Sequence, residues 1–265
     1  KFTLALLLLL AAGALLRFAM EWRAPFLPAL RSIMFGSTIA VSFVLIAAQL
    51  WLGAVSRSEH PLLRWLTSTG VVVATLALGV TLFVEARFQW TRHQVLHGDP
   101  GQLERLGRHL MVGYDNLREL RNLVKLRSVA GVFVSKRNVE GKSIFRVRSD
   151  IDDLQRIRAQ QGLPPLWIAT DQEGGIVSRL SPPLSRLPAL SELVKQYSDV
   201  PQRERAVKEF GFKQGRELAE IGVNLNFAPV VDVNHKVVNP DDRYTRIFQR
   251  AISDDPKVVA QVATW

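Results

Sequence analysis

Residues 168–175, Ile-Ala-Thr-Asp-Gln-Glu-Gly-Gly, place two carboxylates and a carboxamide directly after an apolar run. The run reads as a buried strand. Carboxylates at its end are positioned for chemistry rather than packing, because loops that follow strands gather ligand-binding groups over a rigid scaffold. Gly174 and Gly175 let the backbone turn tightly and let a ligand approach the main chain, since neither carries a Cβ. The pattern suggests a sugar site centred on Asp171. A second acid, Asp232 in Pro-Val-Val-Asp-Val-Asn, also follows an apolar run, and there a turn cap and a functional role both remain open.

The elements that must position Asp171 follow from hydrophobic patterning. The segments His109–Tyr114, Val129–Asn138 and Pro165–Gln172 read as short strands, with a polar helix opened by Ser149 and Asp150 before the third. Strands that are apolar throughout and separated by helices predict a parallel sheet covered on both faces, hence an α/β fold of barrel or doubly wound type. Pro201–Gly222 reads as an amphipathic helix with Ala206, Phe210, Leu218 and Ile221 near one face, ending at a glycine. A strand follows in Val223–Asn234, and Ser253-Asp254-Asp255-Pro256 opens a last helix. Asp152-Asp153 and Asp254-Asp255 are read as helix-start acids, favoured there by the helix dipole.

The first third of the chain has a different character. Among 265 residues with 34 Lys/Arg and 24 Asp/Glu, residues 1–86 hold six and three. Ile33–Val55 and Thr67–Val84 are uncharged runs of 23 and 18 residues, long enough to cross a hydrocarbon core of about 30 Å. Trp65 and Trp90 flank the second as interfacial anchors. Phe2–Leu16 is shorter and starts at Lys1 without an initiator methionine, as a span whose beginning is missing would. Its Leu run and Ala12-Gly13-Ala14 also resemble a signal peptide. With three spans, Arg17, Arg23 and Arg31 share a side with Arg87, Arg92 and Arg105, against Lys1, Arg57 and Arg64 opposite. The positive-inside rule then places the C-terminal part in the cytoplasm of a multi-pass inner-membrane protein.

Other chemistries find little support. The formal charge of +10 is interspersed with acids, without an Arg-rich helix or aromatic-basic stripe, so nucleic acid is not an expected partner. Cysteine is absent, which excludes disulfides and thiolate metal sites. His93 and His97 have one-turn spacing but no third ligand, so no metal is expected. Gly174-Gly175 lacks the rest of a phosphate loop, and no cofactor is expected.

Taken in order, Asp-Gln-Glu-Gly-Gly, Ser-Arg-Leu-Ser-Pro-Pro-Leu-Ser-Arg-Leu-Pro-Ala-Leu, Ile-Gly-Val-Asn-Leu-Asn-Phe-Ala-Pro-Val-Val-Asp-Val-Asn and Arg-Ala-Ile-Ser-Asp-Asp-Pro-Lys-Val-Val-Ala resemble the N-terminal half of a glycoside hydrolase family 3 catalytic domain, of the bacterial β-N-acetylhexosaminidase type. The resemblance covers roughly residues 107–265. It implies part of a (β/α)8 TIM-type barrel over 107–265; the uncharged runs place a membrane region with two or three transmembrane helices before it over 1–86, and 87–106 reads as a juxtamembrane linker. It also implies a carbohydrate substrate, with terminal N-acetylhexosamine released from cell-wall (peptidoglycan) fragments.

Residue by residue, the resemblance implies that Asp171 accepts hydrogen bonds from hydroxyls of the terminal sugar and that Arg179 contacts the ligand. The family's Arg-Ser-Phe-Ser-x-Asp-Pro element falls on Arg250–Pro256, making Arg250 the second sugar-contacting guanidinium, with Arg246 its competitor if the loop shifts by one turn. Two departures bear on substrate contacts: Ile176 stands where an arginine commonly follows the Gly-Gly, and Ala251-Ile252 replace Ser-Phe. A retaining mechanism needs a nucleophilic carboxylate and a separate acid/base. The family's aspartate and histidine for those roles are expected beyond Trp265, so the segment alone is expected to be inactive. Asp171 with Glu173 as the catalytic pair is a minor alternative that needs a particular loop geometry. A rival of another class is a non-catalytic membrane receptor that binds sugars.

Overall fold

The computed structural model describes residues 1–21, 30–55, 60–235 and 244–265. Arg23 and Arg57, used above to orient the spans, lie outside the described residues. The chain divides into two compact units, Lys1–His97 and Gly98–Trp265.

The first unit consists of α1 (Phe2–Glu21), α2 (Arg31–Val55) and α3 (Pro61–Leu96). All three are long and apolar enough to cross a membrane. The third continues through Leu96, so much of the expected linker is helix. The helices meet through small and polar residues. Ala5, Ala12, Ala19, Ala74 and Ala77 are buried, as are Thr38, Ser42, Thr67 and Thr81, whose hydroxyls donate to carbonyls one turn back. Gln49 is buried too, its Nε2 donating to the Leu8 carbonyl at 3.4 Å, and a Cβ at Gly70 would overlap its amide. Near one end, Glu85 accepts from Arg31 at 2.7 Å, while Arg31 lies 3.6 Å over the Phe88 ring.

The second unit opens with α4 (Pro100–Gly107), followed by β1 (Met111–Gly113), α5 (Leu117–Lys125), β2 (Gly131–Phe133), α6 (Lys136–Val139), α7 (Ile144–Gln160) and β3 (Trp167–Thr170). Then come β4 (Gln172–Gly174), β5 (Val177–Ser178), α8 (Leu190–Gln196), α9 (Val200–Glu220), β6 (Leu225–Asn226), α10 (Ile247–Arg250) and α11 (Pro256–Thr264). Strands β1, β2, β3 and β6 form a parallel sheet in chain order, and β4–β5 is a separate antiparallel hairpin. The unit is therefore an α/β fold built on a parallel sheet.

Several boundaries differ from the sequence reading. Helix α5 was not anticipated between the first two strands. Its Leu120 and Val124 are fully buried, yet they stand among charged residues that obscure the period. Helix α7 begins at Ile144 with Ser143 as its cap, not at Ser149-Asp150. Asp150 is buried mid-helix, held by Lys142 at 2.9 Å and Arg146 at 3.4 Å. Asp152 and Asp153 are likewise mid-helix and serve ion pairs with Arg148, and with Arg121 and Arg156. Asp255 does cap α11, accepting from the Lys257 amide. In α9 the buried residues are Val207 and Leu218, and Gly222 follows at φ +87.

Among the described residues the sheet is covered on one face, not two. Leu120, Val124, Ile151, Leu154, Leu218 and Ile221 from the helices close over Val132 and Ile168. The opposite face carries Trp167 and Phe227, each about half exposed, and the Phe227 ring stacks on Phe133 at 6.1 Å.

Candidate functional site

Two asparagines fix the strand that delivers Asp171. Strand β6 pairs with only the last residues of β3, Ala169 with Leu225 and Thr170 with Asn226. Asn224 extends that pairing backward, its Oδ1 accepting from the Ile168 amide and its Nδ2 donating to the Leu166 carbonyl. Asn226 extends it forward, accepting from the Gln172 amide at 2.9 Å and donating to the Gln172 carbonyl at 3.0 Å. The two peptide groups flanking Gln172, the first of which joins it to Asp171, are thus held by one side chain, each bond contributing about 1 kcal/mol net. The Asn-Leu-Asn alternation was the available signal: two residues of a strand share a face, and both amides reach the same neighbour.

Beyond Asp171 the chain reverses in the β4–β5 hairpin. Gly174 and Gly175 adopt φ +92 and +58, and a Cβ at Gly174 would overlap the Pro188 carbonyl. The tight turn read from these glycines is therefore obligatory. Gln172 points inward, its Oε1 accepting from the Leu180 amide and its Nε2 donating to the Ser181 hydroxyl. The Arg179 amide donates back to the Asp171 carbonyl at 3.3 Å.

The structure brings Arg179 and Arg250 each within electrostatic reach of Asp171. The Asp171 side chain is half-buried and receives no hydrogen bond from the described residues. Burial pushes its carboxyl above the usual carboxylate range, Arg179 opposes that shift, Glu173 adds to it and Arg250 opposes it. The Arg179 side chain is exposed. Arg250 is not open in the same way: its Nε and Nη2 donate to the two oxygens of Glu173 at 2.8 and 2.6 Å, and Nη1 donates to the Thr245 carbonyl. This pair keeps the guanidinium even more firmly protonated. Arg246, the competitor, is an exposed left-handed residue before α10 and has no such partner among the described residues.

Glu173 is buried and bidentately paired, so it is unsuited to catalytic proton transfer alongside Asp171. Of the departures from the family pattern, Ile176 is exposed, whereas Ala251 and Ile252 are almost wholly buried, Ile252 among Leu190, Val194 and Val259. The latter two are packing positions in the fold. Asp232 is exposed and felt electrostatically by Arg250. His93 and His97 stack at 4.2 Å along α3, and no cluster of metal-ligating side chains occurs among the described residues.

Residues 102–265 match the glycosyl hydrolase family 3 N terminal domain. The chain belongs to glycosyl hydrolase family 3. Within that family it is 35% identical over 159 residues to a beta-hexosaminidase of Alkalilimnicola ehrlichii, covering 58% of this chain and 42% of that protein. A Stenotrophomonas maltophilia beta-hexosaminidase is 36% identical over 153 residues, covering 57% and 41%. This family 3 chain thus spans about two fifths of the curated relatives it matches. Among solved structures, a glycoside hydrolase family 3 beta-N-acetylglucosaminidase from Paenibacillus sp. str. FPU-7 aligns with a TM-score of 0.53 at 29% identity, over 61% of this chain and 29% of that one. NagZ from Neisseria gonorrhoeae, solved with N-trifluoroacetyl-D-glucosamine, aligns at 0.50 and 24% identity, over 58% and 44%, a likeness of fold.

Proposed function

We propose that the whole protein is a membrane-anchored β-N-acetylhexosaminidase that removes terminal, non-reducing N-acetylhexosamine, with cell-wall (peptidoglycan) fragments as substrate. The observation that carries this reading is the unpartnered, half-buried Asp171 carboxylate at the end of β3 in a chain of this family. A carboxylate there can accept from two adjacent sugar hydroxyls, while Arg179 and Arg250 supply donors and offset the charge.

The α/β unit is, in this reading, the first part of a (β/α)8 barrel. A parallel sheet in chain order, helices on one face and an aromatic inner face support it, as does the site's position beyond the strand ends. A retaining reaction would place the aspartate nucleophile and histidine acid/base in chain following Trp265, with Asp171 and the arginines holding the ring. The three apolar helices anchor the enzyme, and Arg17 and Arg31 support a cytoplasmic α/β unit.

The test is equilibrium binding of N-acetylglucosamine to the intact protein in detergent, with turnover of an aryl N-acetylglucosaminide measured beside it. Binding that Asp171→Asn abolishes supports the site, and undiminished binding by that variant overturns it. Binding without turnover by the whole protein favours the receptor reading.

A further inference from the structure

Glu173 has no role in the sugar site as described, yet it is the most completely engaged carboxylate near it. Its side chain is 7% exposed and both its oxygens accept from Arg250. On another side it borders a pocket of about 230 Å³ lined by Leu190, Val207, Phe210 and Val262, with Lys208 and Gln214 also on its wall. Neither Lys208 nor Gln214 hydrogen-bonds the carboxylate, so among the described residues the Arg250 guanidinium is the group that satisfies its oxygens.

The bond pattern is equally restrictive for Arg250. An arginine carries five N–H donors in a rigid plane. Two are fixed by Glu173 and one by the Thr245 carbonyl at 3.0 Å, which sets the plane and the roll of the fork. Two donors, one on each Nη, remain for a ligand, beside the Asp171 carboxylate that Arg250 feels electrostatically. Glu173 itself has no free oxygen to offer.

We propose that Glu173 is a positioning residue: it never touches the sugar, and it orients the Arg250 guanidinium so that the two remaining donors meet sugar oxygens held by Asp171. This inference rests on the sugar-site reading above. Preorganisation of this kind removes a long side chain's ordering cost from the binding step.

The experiment is a double-mutant cycle on the intact protein in detergent, with N-acetylglucosamine affinity and thermal unfolding read for each variant. Glu173→Gln keeps the shape but replaces one acceptor with a donor facing Nη2, and it should weaken binding about tenfold. Arg250→Lys keeps the charge that Glu173 needs while removing the fork, so the buried carboxylate stays compensated and the fold persists. In that background Glu173→Gln should cost no further affinity, and Glu173→Asp alone should give an intermediate loss. A purely structural role would lower the melting temperature and weaken binding equally in both backgrounds, which overturns the inference. Unchanged affinity in Glu173→Gln overturns it as well. Absence of binding by the unmutated protein overturns the sugar-site reading and this inference together.

Discussion

The two units of the chain distribute apolar and polar side chains in opposite ways. In Gly98–Trp265 the core is mainly Leu, Ile and Val, and most charged side chains face outward, with Asp150, Arg158 and Glu173 buried. In Lys1–His97 many of the large apolar residues face out, with Leu7, Val44, Trp51 and Phe83 each more than half exposed, while Thr38, Ser42, Gln49 and Thr81 are sealed between helices. A helix surrounded by water would not choose that arrangement, because about 25 cal/mol is lost for every Å² of apolar surface left wet. Surrounded by lipid it is the favoured one, since small and polar residues make the interhelical contacts. Buried polarity is accordingly handled in two ways: by the helices' own carbonyls in the first unit, and by ion pairs in the second, local for Asp150 and long-range for Glu173.

Removing the ion pair's cation gives the largest expected effect. Arg250→Met leaves the Glu173 carboxylate buried and unpaired, and the α/β unit should lose about 3 kcal/mol, or about 6–12 °C in melting temperature. Adding Glu173→Gln should restore most of it, because the orphaned charge is gone. A double variant as unstable as the single one would show that packing, not charge, dominates there.

Next comes an exposed aspartate in each unit. Val44 is 66% exposed midway along α2, and Phe145 is 86% exposed in the first turn of α7. Val44→Asp should cost about 3 kcal/mol of membrane insertion. Phe145→Asp should be neutral or slightly stabilising, since a negative charge suits a helix start. Insertion is read by fractionation or a glycosylation-site assay, the soluble unit by melting temperature. If Val44→Asp inserts normally, the lipid-facing reading of the first unit fails.

Gln49 sharpens the same contrast at a smaller scale. Its Oε1 is buried without a hydrogen-bond partner among the described residues. Gln49→Leu should therefore stabilise the helical unit by about 1 kcal/mol, measured by resistance to denaturing detergent.

What the sequence disclosed depended on range. Elements governed by local period or by a single residue were legible: the uncharged runs that became α2 and α3, the apolar strand before Asp171, the positive-φ glycines and the Asp255 cap. Helix α7's true start was not, because its core face includes Asp150, an acid whose burial depends on Lys142 and Arg146. Helix α5 was hidden for a related reason, its apolar positions being few among Arg, Glu and Lys. Within the site, Asp171 announced itself by following a strand. The Glu173–Arg250 pair spans 77 residues, and no local pattern marks either as the other's partner.

The smallest effect distinguishes Asp171 from Glu173, two carboxylates on one hairpin arm. Glu173 has a cation on both oxygens, whereas Asp171 is half-buried with its charge only partly offset, so its folded-state pKa lies above the unfolded one. An acid shifted that way favours the folded state at low pH, and the advantage is lost as pH rises through the folded-state pKa. Ionised Asp171 is thus a cost to stability at neutral pH, one that the proposed sugar recognition would require. Asp171→Asn should raise the melting temperature by about 1–2 °C at pH 7, small because the carboxylate is still partly solvated. The gain should vanish below the normal carboxylate range, where the wild-type acid is protonated. Sugar binding should run the other way, absent in the variant at every pH and fading in the wild type as Asp171 protonates. A variant less stable than wild type at pH 7 would mean that the Asp171 charge is a structural anchor, and would remove the reason for treating it as a residue kept for its ligand.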